Sequence, residues 1–355
     1  MKNDPLKTDI FPVLVLFGPT ASGKTCILQE LFNNSNSDLQ AEVVSADSMQ
    51  VYRGMDIGTA KPSVEERAHL PHHLIDILDP SQQFNAGDFV RLADKTCLEI
   101  ARRGKLPVVS GGTGFYLKNF ILGLSEAPPS DLEVRKQLKN DLSNVGAGAL
   151  MEELAICDPI SAGRIHINDE YRLLRALEVY RICGQPLSSF EVNKTDERGN
   201  FRFIIIGLSR PREELYNRIN MRCAQMFKQG LAEEVHSLYE AGYTPDDPGM
   251  RAIGYREFFV ENIDATDTPS KWRLSNDLDG VQALIAQNSR RYAKRQITFF
   301  KNISNVNWIE CADNKEASQK INNIINHEPT QTLTNSYYGI EEQVRVVSGK
   351  KESYE

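Results

Sequence analysis

The apolar run Val13-Leu14-Val15-Leu16-Phe17, followed at once by Gly18-Pro19-Thr20-Ala21-Ser22-Gly23-Lys24-Thr25, constrains the fold more than any other stretch of the chain. The run is too short for a helix and reads as a strand buried on both faces, which is the habit of strands in parallel sheets. The string after it is a complete G-x-x-x-x-G-K-[ST] phosphate loop. Such a loop works where a strand turns into a helix, because backbone N–H groups and the helix N-terminus cradle the phosphates. Lys24 neutralises their charge, and the Thr25 hydroxyl suits a magnesium ion. The loop does not say whose phosphates it holds.

The sequence downstream repeats the alternation. A β-branched run at Val43-Val44 ends at Ser45-Ala46-Asp47, and Leu106-Pro107-Val108-Val109 ends at Ser110-Gly111-Gly112-Thr113. Between them, Phe89, Leu92, Ala93, Leu98 and Ile100 recur at helical spacing over Asp88 to Arg103, stopped by Gly104. Strand, helix, strand, helix, strand predicts an α/β fold: a phosphate-loop core with a parallel sheet flanked by helices. From about Ser130 to Ser189 the periods turn helical, and Phe203-Ile204-Ile205-Ile206-Gly207 then restores a strand, followed by helical patterns over Arg212 to Gln229, Leu231 to Glu240 and Leu278 to Lys301. The expected organisation is a discontinuous core over 11–127 and 200–310, a helical insertion over 128–199, and a polar tail over 328–355 with few clustered hydrophobes to order it.

Composition narrows the class. At 355 residues with 41% hydrophobic and 25% charged content, the chain has the make-up of an ordinary globular protein. No stretch approaches the ~18–20 apolar residues of a membrane span, and Met1 to Ile10 lacks a signal-peptide layout, so a cytoplasmic protein without membrane contact is expected. Cys26, Cys97, Cys157, Cys183, Cys223 and Cys311 are scattered, which suggests neither a disulfide framework nor a zinc site. His72 and His73 likewise have no partners at metal-ligand spacing. The net charge of −7 argues against a generally nucleic-acid-binding surface, so any RNA site must be local.

Several residues admit two readings from spacing alone. Asp47, at the carboxyl end of a strand on the edge where α/β folds bind ligands, is a magnesium ligand, a general base or a cap. Arg218 and Arg222 share a helix face at i, i+4, and either meet an anion or pair with Glu213 and Glu214. Thr113 follows two glycines that permit a close approach, or simply a turn. Arg291, Lys294, Arg295 and Lys301 form a basic stripe beside an apolar one of Val281, Ile285, Tyr292 and Phe299; it tracks phosphates or is a solvated face.

A longer pattern resolves some of this. Ser45-Ala46-Asp47-Ser48-Met49-Gln50-Val51-Tyr52-Arg53 runs into Gly54-Met-Asp-Ile-Gly-Thr-Ala-Lys-Pro62. It is followed in order by His72-His73-Leu-Ile-Asp-Ile-Leu-Asp-Pro80, Gly111-Gly-Thr-Gly-Phe-Tyr116, Arg172-Leu-Leu-Arg-Ala-Leu-Glu-Val179, Gly254-Tyr-Arg256 and Ala293-Lys-Arg-Gln296. Together, from about Val13 to Trp308, these resemble the bacterial tRNA dimethylallyltransferase family. The resemblance implies transfer of a dimethylallyl group from dimethylallyl diphosphate to the N6 amine of the adenosine at tRNA position 37, 3′ to the anticodon, with release of diphosphate. It implies that Gly18 to Thr25 hold that diphosphate with Mg²⁺ rather than ATP. It makes Asp47 the base toward the amine and Arg222 a helper of the departing diphosphate, and it counts Thr25 as catalytic and as the metal contact.

By the same resemblance the anticodon stem-loop meets Asp47, Ser48, Met49 and Gln50, Thr113, Arg135, Arg172 and Arg175, Arg251, Gly254, Tyr255 and Arg256, and Arg291, Lys294 and Arg295. The target base must leave its stack to reach Asp47, and tRNA is expected to close a channel against water. Two positions depart from the family pattern: Tyr171 stands where many relatives have Gln, and Ser289 where Thr is common. The tail lacks the Cys and His pairs of the zinc finger in eukaryotic relatives, which points to a bacterial type; separately, a monomer is expected. The alternatives are a small-molecule phosphate-loop kinase, a prenyltransferase acting on free adenylate, and a non-enzymatic RNA-binding module; the insertion and the basic helix fit none of the first two.

Overall fold

A computed structural model describes residues 10–32, 39–190, 198–262 and 271–326, with two short strands at 333–334 and 343–344. The polar tail expected over 328–355 lies outside the described residues apart from those two strands. By its internal contacts the chain forms two compact units, Met1–Ile121 with Glu197–Glu355, and Leu122–Asp196.

The first unit opens with β1 (Phe11–Phe17), α1 (Lys24–Phe32), β2 (Ala41–Ala46), α2 (Val64–His69), β3 (His72–His73), α3 (Ala86–Arg102), β4 (Leu106–Gly111) and α4 (Gly114–Leu122). The insertion carries α5 (Leu132–Cys157), α6 (Pro159–Arg164), α7 (Glu170–Cys183) and a 3₁₀ turn, Leu187–Phe190. The first unit resumes with β5 (Phe201–Ser209), α8 (Arg212–Lys228), α9 (Leu231–Glu240), a small hairpin of β6 (Phe259–Glu261) and β7 (Trp272–Leu274), α10 (Leu278–Phe300), β8 (Asn307–Glu310) and α11 (Asn314–Asn326). Six strands form one parallel sheet in the order β3-β2-β4-β1-β5-β8.

The sheet is buried on both faces because its strands alternate apolar residues to two cores. Val13, Val15, Phe17, Val44, Ala46 and Val109 pack with Phe89, Val90, Leu117 and Phe120 of α3 and α4 and with Phe300 of α10. Leu14, Leu16, Val43, Val108, Ile206 and Leu208 face Ile27 and Leu28 of α1 and Ala317 and Ile321 of α11. All five residues of Val13 to Phe17 have no exposed surface; burial of each large side chain is worth about 1.5–3 kcal/mol. The edge strands β3 and β8 are additions to the sequence reading: β3 has two residues, and Asn307-Trp-Ile-Glu310 has no apolar run to announce it. His72 and His73 have structural partners, the Leu70 carbonyl at 2.6 Å and the Glu42 carboxylate at 2.7 Å. No group of three or more His, Cys, Asp or Glu among the described residues is arranged to hold a metal, and no helix among them is long and apolar enough to cross a membrane.

In the insertion, α5 bends at Gly146, whose φ of 81° is left-handed. Leu138, Leu150 and Leu154 of α5 close on Leu173, Leu174 and Leu177 of α7. The buried Asp158 caps α6: its carboxylate accepts from Ser161 N (3.0 Å) and Oγ (2.6 Å) and from Ser188 N (3.0 Å) and Oγ (2.7 Å). Burial opposes its charge, yet these bonds hold the carboxyl below the ordinary aspartate range. Asp158→Ala strands the four donors and is expected to destabilise the insertion by about 2–4 kcal/mol, measured by chemical denaturation. Because the folded pKa is depressed, this contribution is present above the unfolded value of ~3.9 and is lost as pH falls through the folded one.

Candidate functional site

Gly18 to Thr25 leave the end of β1 and enter α1, and the turn between them is anchored from three directions. Arg210 Nε donates to the Ser22 carbonyl at 2.8 Å, Arg218 Nε to the Ala21 carbonyl at 2.9 Å, and the Thr20 N–H donates to Gln296 Oε1 at 2.8 Å. Left-handed φ values at Ala21 (62°) and Gly23 (103°) fold the loop into the concave form in which successive backbone N–H groups gather around an anion. Lys24 Nζ donates to the carbonyls of Gly18 at 2.9 Å and Pro19 at 3.1 Å.

Asp47 follows the last residue of β2, one strand beyond the neighbouring β4 and on the same carboxyl edge. Its Oδ1 accepts from the N–H groups of Met49 (2.9 Å) and Gln50 (3.4 Å), a local turn that fixes the carboxylate. Oδ2 makes no hydrogen bond among the described residues, and Asp47 lines a cavity of about 420 Å³ with Lys24, Thr25, Gln50, Arg218, Arg222 and Tyr292. The cap reading of Asp47 thus accounts for one of its oxygens and leaves the other for chemistry. A hollow of similar size, about 400 Å³ between α8 and α10, contains no phosphate loop, so chemistry rather than volume singles out the first.

Electrostatics sharpen the picture. Arg218 is tied to the loop, whereas Arg222, one turn further along α8, makes no hydrogen bond or ion pair among the described residues and is held in the cavity wall. Burial lowers the Arg222 pKa and Asp47 opposes that shift. Glu214 pairs with Arg210 rather than with either cavity arginine, so the alternative of a self-neutralised helix face does not hold for Arg222. Lys24 is pushed down to about 8, first by burial and then by repulsion from Arg222, with Asp47 pulling the other way. Lys24, Arg218 and Arg222 against Asp47 leave an excess of two positive charges in the lining, which asks for a polyanion.

This predicts a pH dependence. An anion selects protonated Lys24, and the free protein loses that proton as pH rises through about 8. Affinity for inorganic pyrophosphate is therefore expected to fall above that point, approaching ~tenfold per pH unit, because one unit of pKa corresponds to 1.36 kcal/mol. Lys24→Arg should flatten the profile, since a guanidinium stays charged throughout. Calorimetric titration across pH 7–10 checks both.

Comparison with known proteins agrees with this geometry. A family model described as IPP transferase matches residues 50–303. A tRNA dimethylallyltransferase of Geobacter sulfurreducens is 43% identical over 309 residues, covering 87% of this chain and 95% of that protein. The chain belongs to the IPP transferase family. Among solved structures, the full-length tRNA isopentenylpyrophosphate transferase of Bacillus halodurans is 38% identical with a TM-score of 0.61, over 90% of this chain and 96% of that one. A eukaryotic dimethylallyltransferase acting on tRNA is 27% identical with a TM-score of 0.72, over 90% of this chain and 80% of that one. Membership removes the kinase, free-adenylate and non-enzymatic alternatives.

The remaining family positions fall into distinct places. Ser48 and Thr113 meet across the ends of β2 and β4, the Ser48 N–H donating to Thr113 Oγ1 at 3.0 Å. The space opened by Gly111 and Gly112 is taken by protein and not by a substrate: a Cβ on Gly111 would lie 2.1 Å from the Ala46 carbonyl oxygen, and one on Gly112 would lie 2.5 Å from Gln296 Nε2. Met49 packs beside the third apolar cluster, which Val51, Met55, Met226, Val235 and Phe258 build under α8 and α9. Arg291, Lys294 and Arg295 are exposed on α10. Arg251 and Arg256 are exposed too, while Gly254 and Tyr255 are buried. Tyr255 has no exposed surface. In the insertion, Arg135 and Arg175 both pair with the buried Glu178, at 3.1 and 2.9 Å, and Arg135 lies over the exposed Tyr171 ring. Arg172 is exposed and pairs with Asp169 at 3.3 Å.

Three residues of the site take a part that the sequence pattern does not assign them, although Gln296 stands in the Ala293-Lys-Arg-Gln296 motif and Tyr292 in the apolar stripe. Arg210 is almost fully buried behind the loop. Gln296 is equally buried; its Nε2 donates to the Gly112 carbonyl at 2.8 Å while its Oε1 takes the Thr20 N–H, so one side chain ties the phosphate loop to the end of β4. Tyr292 belongs to the cavity, not to the packing stripe that helical spacing assigns it. Burial and then Asp47 push its hydroxyl up to about 12, opposed by hydrogen bonding with Thr113 and Gln296.

Proposed function

We propose that this chain transfers a dimethylallyl group from dimethylallyl diphosphate to N6 of the adenosine at position 37 of tRNA, with the cavity above the sheet as the reaction site. The observation that carries the assignment of roles is the pairing, in one cavity, of an anion-seeking wall with a carboxylate that has an open oxygen: Lys24 and the unpaired Arg222 on one side, Asp47 on the other. In this reading the loop amides, Lys24 and Arg222 bind the diphosphate, and they meet the negative charge that grows on it as its C–O bond breaks. Asp47 Oδ2 accepts the proton of the adenine amine as the N–C bond forms; the lone pair of that amine is delocalised, so a base at hydrogen-bond distance matters. The exposed arginines and lysine of α10, with Arg251 and Arg256, meet the phosphates of the anticodon stem-loop.

The donor offered to a metal is a hard oxygen, the Thr25 hydroxyl, which fits Mg²⁺ that completes its shell with substrate phosphate and water. When bound, the ion neutralises diphosphate charge. Thr25 would hold it, and Thr25→Val is expected to raise the Mg²⁺ concentration for half-maximal transfer about tenfold or more, read from a magnesium titration of activity.

The functional test is transfer of labelled dimethylallyl groups to unmodified anticodon stem-loop RNA, with ATP omitted and nucleotide turnover followed in parallel. Prenylated adenosine with equimolar pyrophosphate is the expected result. ATP turnover without RNA modification would contradict the proposal.

A further inference from the structure

We propose that Glu234, on α9, is a positioning residue for the adenosine side of the reaction, acting through the loop at 56–60 on Gln50 and so on the Asp47 turn. The inference rests on the reading of the cavity as the prenyl-transfer site. Glu234 belongs to none of the motifs that mark that site.

The Glu234 carboxylate collects four donors. Oε2 accepts from the N–H groups of Asp56 (2.9 Å) and Ile57 (2.8 Å), and Oε1 from the Gly58 N–H (3.1 Å) and the Tyr255 hydroxyl (2.6 Å). Three consecutive backbone donors converging on one carboxylate immobilise the start of the loop, because charged acceptors make the stronger hydrogen bonds. The Tyr255 ring presses on the same segment: a Cβ on Gly58 would lie 2.4 Å from the ring, so only glycine fits there. The loop's own bonds, Ala60 N to Ile57 O at 3.0 Å and Lys61 N to Asp56 O at 2.9 Å, carry that fixed geometry forward to Thr59 and Ala60.

Thr59 and Ala60 are cavity wall. Their carbonyls accept from Gln50 Nε2, each at 3.3 Å, and Gln50 Oε1 accepts from Ser45 Oγ at 3.0 Å. The Gln50 amide group is thus held on one side by the loop and on the other by β2, while its backbone N–H caps Asp47 Oδ1. The chain of contacts runs from Glu234 to the loop, to Gln50, to the carboxylate. Lys24, Arg218 and Arg222, which are assigned to the diphosphate, are not links in it. It also gives Gly254 and Tyr255 a role consistent with their burial: they are the back of the clamp.

Glu234→Gln puts an amide donor against donors while keeping size and shape. It is expected to slow single-turnover transfer to anticodon stem-loop RNA about ten- to a hundredfold, the range a small misplacement of a reacting group produces. The Kd of inorganic pyrophosphate should stay within about twofold. In a Gln50→Ala background the further loss on adding Glu234→Gln should shrink to about threefold or less, because residues on one pathway are not additive. Unchanged transfer in Glu234→Gln, a matching loss of pyrophosphate affinity, or the full loss retained in the Gln50→Ala background would each overturn the proposal. Tyr255→Phe removes a single bond; it is expected to show the same pattern at about threefold, and it decides the matter by the same criteria if Glu234→Gln does not fold. Wild-type protein that fails to prenylate RNA overturns the functional reading itself, whereas wild-type transfer with an unaffected Glu234→Gln overturns only the clamp.

Discussion

Asp47→Asn is expected to lower the rate of dimethylallyl transfer by about 10²–10⁴, the contribution typical of a positioned general base, while both substrates bind nearly as before. Asparagine is the informative replacement. Its side-chain oxygen can still accept from the Met49 N–H, the 2.9 Å bond that sets the turn after β2. What it cannot do is take a proton at the position of Oδ2. Single-turnover kinetics with saturating RNA and dimethylallyl diphosphate, alongside equilibrium binding of each, separates the chemical step from binding. A loss confined to affinity would mean that Asp47 only holds RNA.

Arg222→Ala is expected to cost about 10²–10³ in the same rate, or ~3–4 kcal/mol, because it removes a donor aimed at charge that develops as the diphosphate departs. The size of the effect follows from the environment. Arg222 is drawn out of water, which lowers its pKa, and has only the field of Asp47 to offset that cost. A half-buried, unpaired guanidinium is costly, and the cost is recovered when an anion arrives. Arg218→Ala should behave differently, since its Nε is bound to the Ala21 carbonyl at 2.9 Å and its loss loosens the loop. The expected signature is weaker pyrophosphate binding for Arg218→Ala, and a slower chemical step with a smaller change in binding for Arg222→Ala.

Much of the fold and the centre of the site could be read from neighbouring residues. The buried strand, the phosphate loop and the helix after it are consecutive, and Asp47 sits at the end of a run whose alternation the sheet reproduces. Arg222 was a candidate because i, i+4 spacing on a helix is a local rule, and the family resemblance rather than the spacing gave it a role. Arg210 and Glu234 were not, and for Gln296 the motif marked the position and not the contact, because each acts on backbone far along the chain. Arg210 reaches Ser22 across 188 positions, Gln296 reaches Thr20 across 276, and Glu234 reaches Ile57 across 177. No periodicity encodes such contacts; they exist only after β5 and α10 have been laid beside β1 and α9 beside the loop at 56–60.

Tyr292 illustrates a different limit. Helical spacing groups it with Val281, Ile285 and Phe299, yet α10 serves three surroundings along its length. Val281 and Ile285 pack in the cluster under α8 and α9, Phe300 packs on the sheet, and Tyr292 and Gln296 between them line the cavity. An amphipathic pattern reports which side of a helix is covered, not by what. The same holds for Arg135 and Arg175, whose charges invite an RNA reading and whose guanidinium groups are partly engaged with Glu178.

The central claim is that one cavity holds the diphosphate at the phosphate loop and presents the adenine amine to Asp47. A crystal structure with an unreactive thiolo-diphosphate analogue of the prenyl donor and an anticodon stem-loop measures this most directly. The account predicts the flipped adenine N6 within hydrogen-bond reach of Asp47 Oδ2, ~2.6–3.2 Å, and the diphosphate among the loop amides, Lys24 and Arg222. An amine that meets another base, or a diphosphate bound away from Gly18 to Thr25, would contradict it.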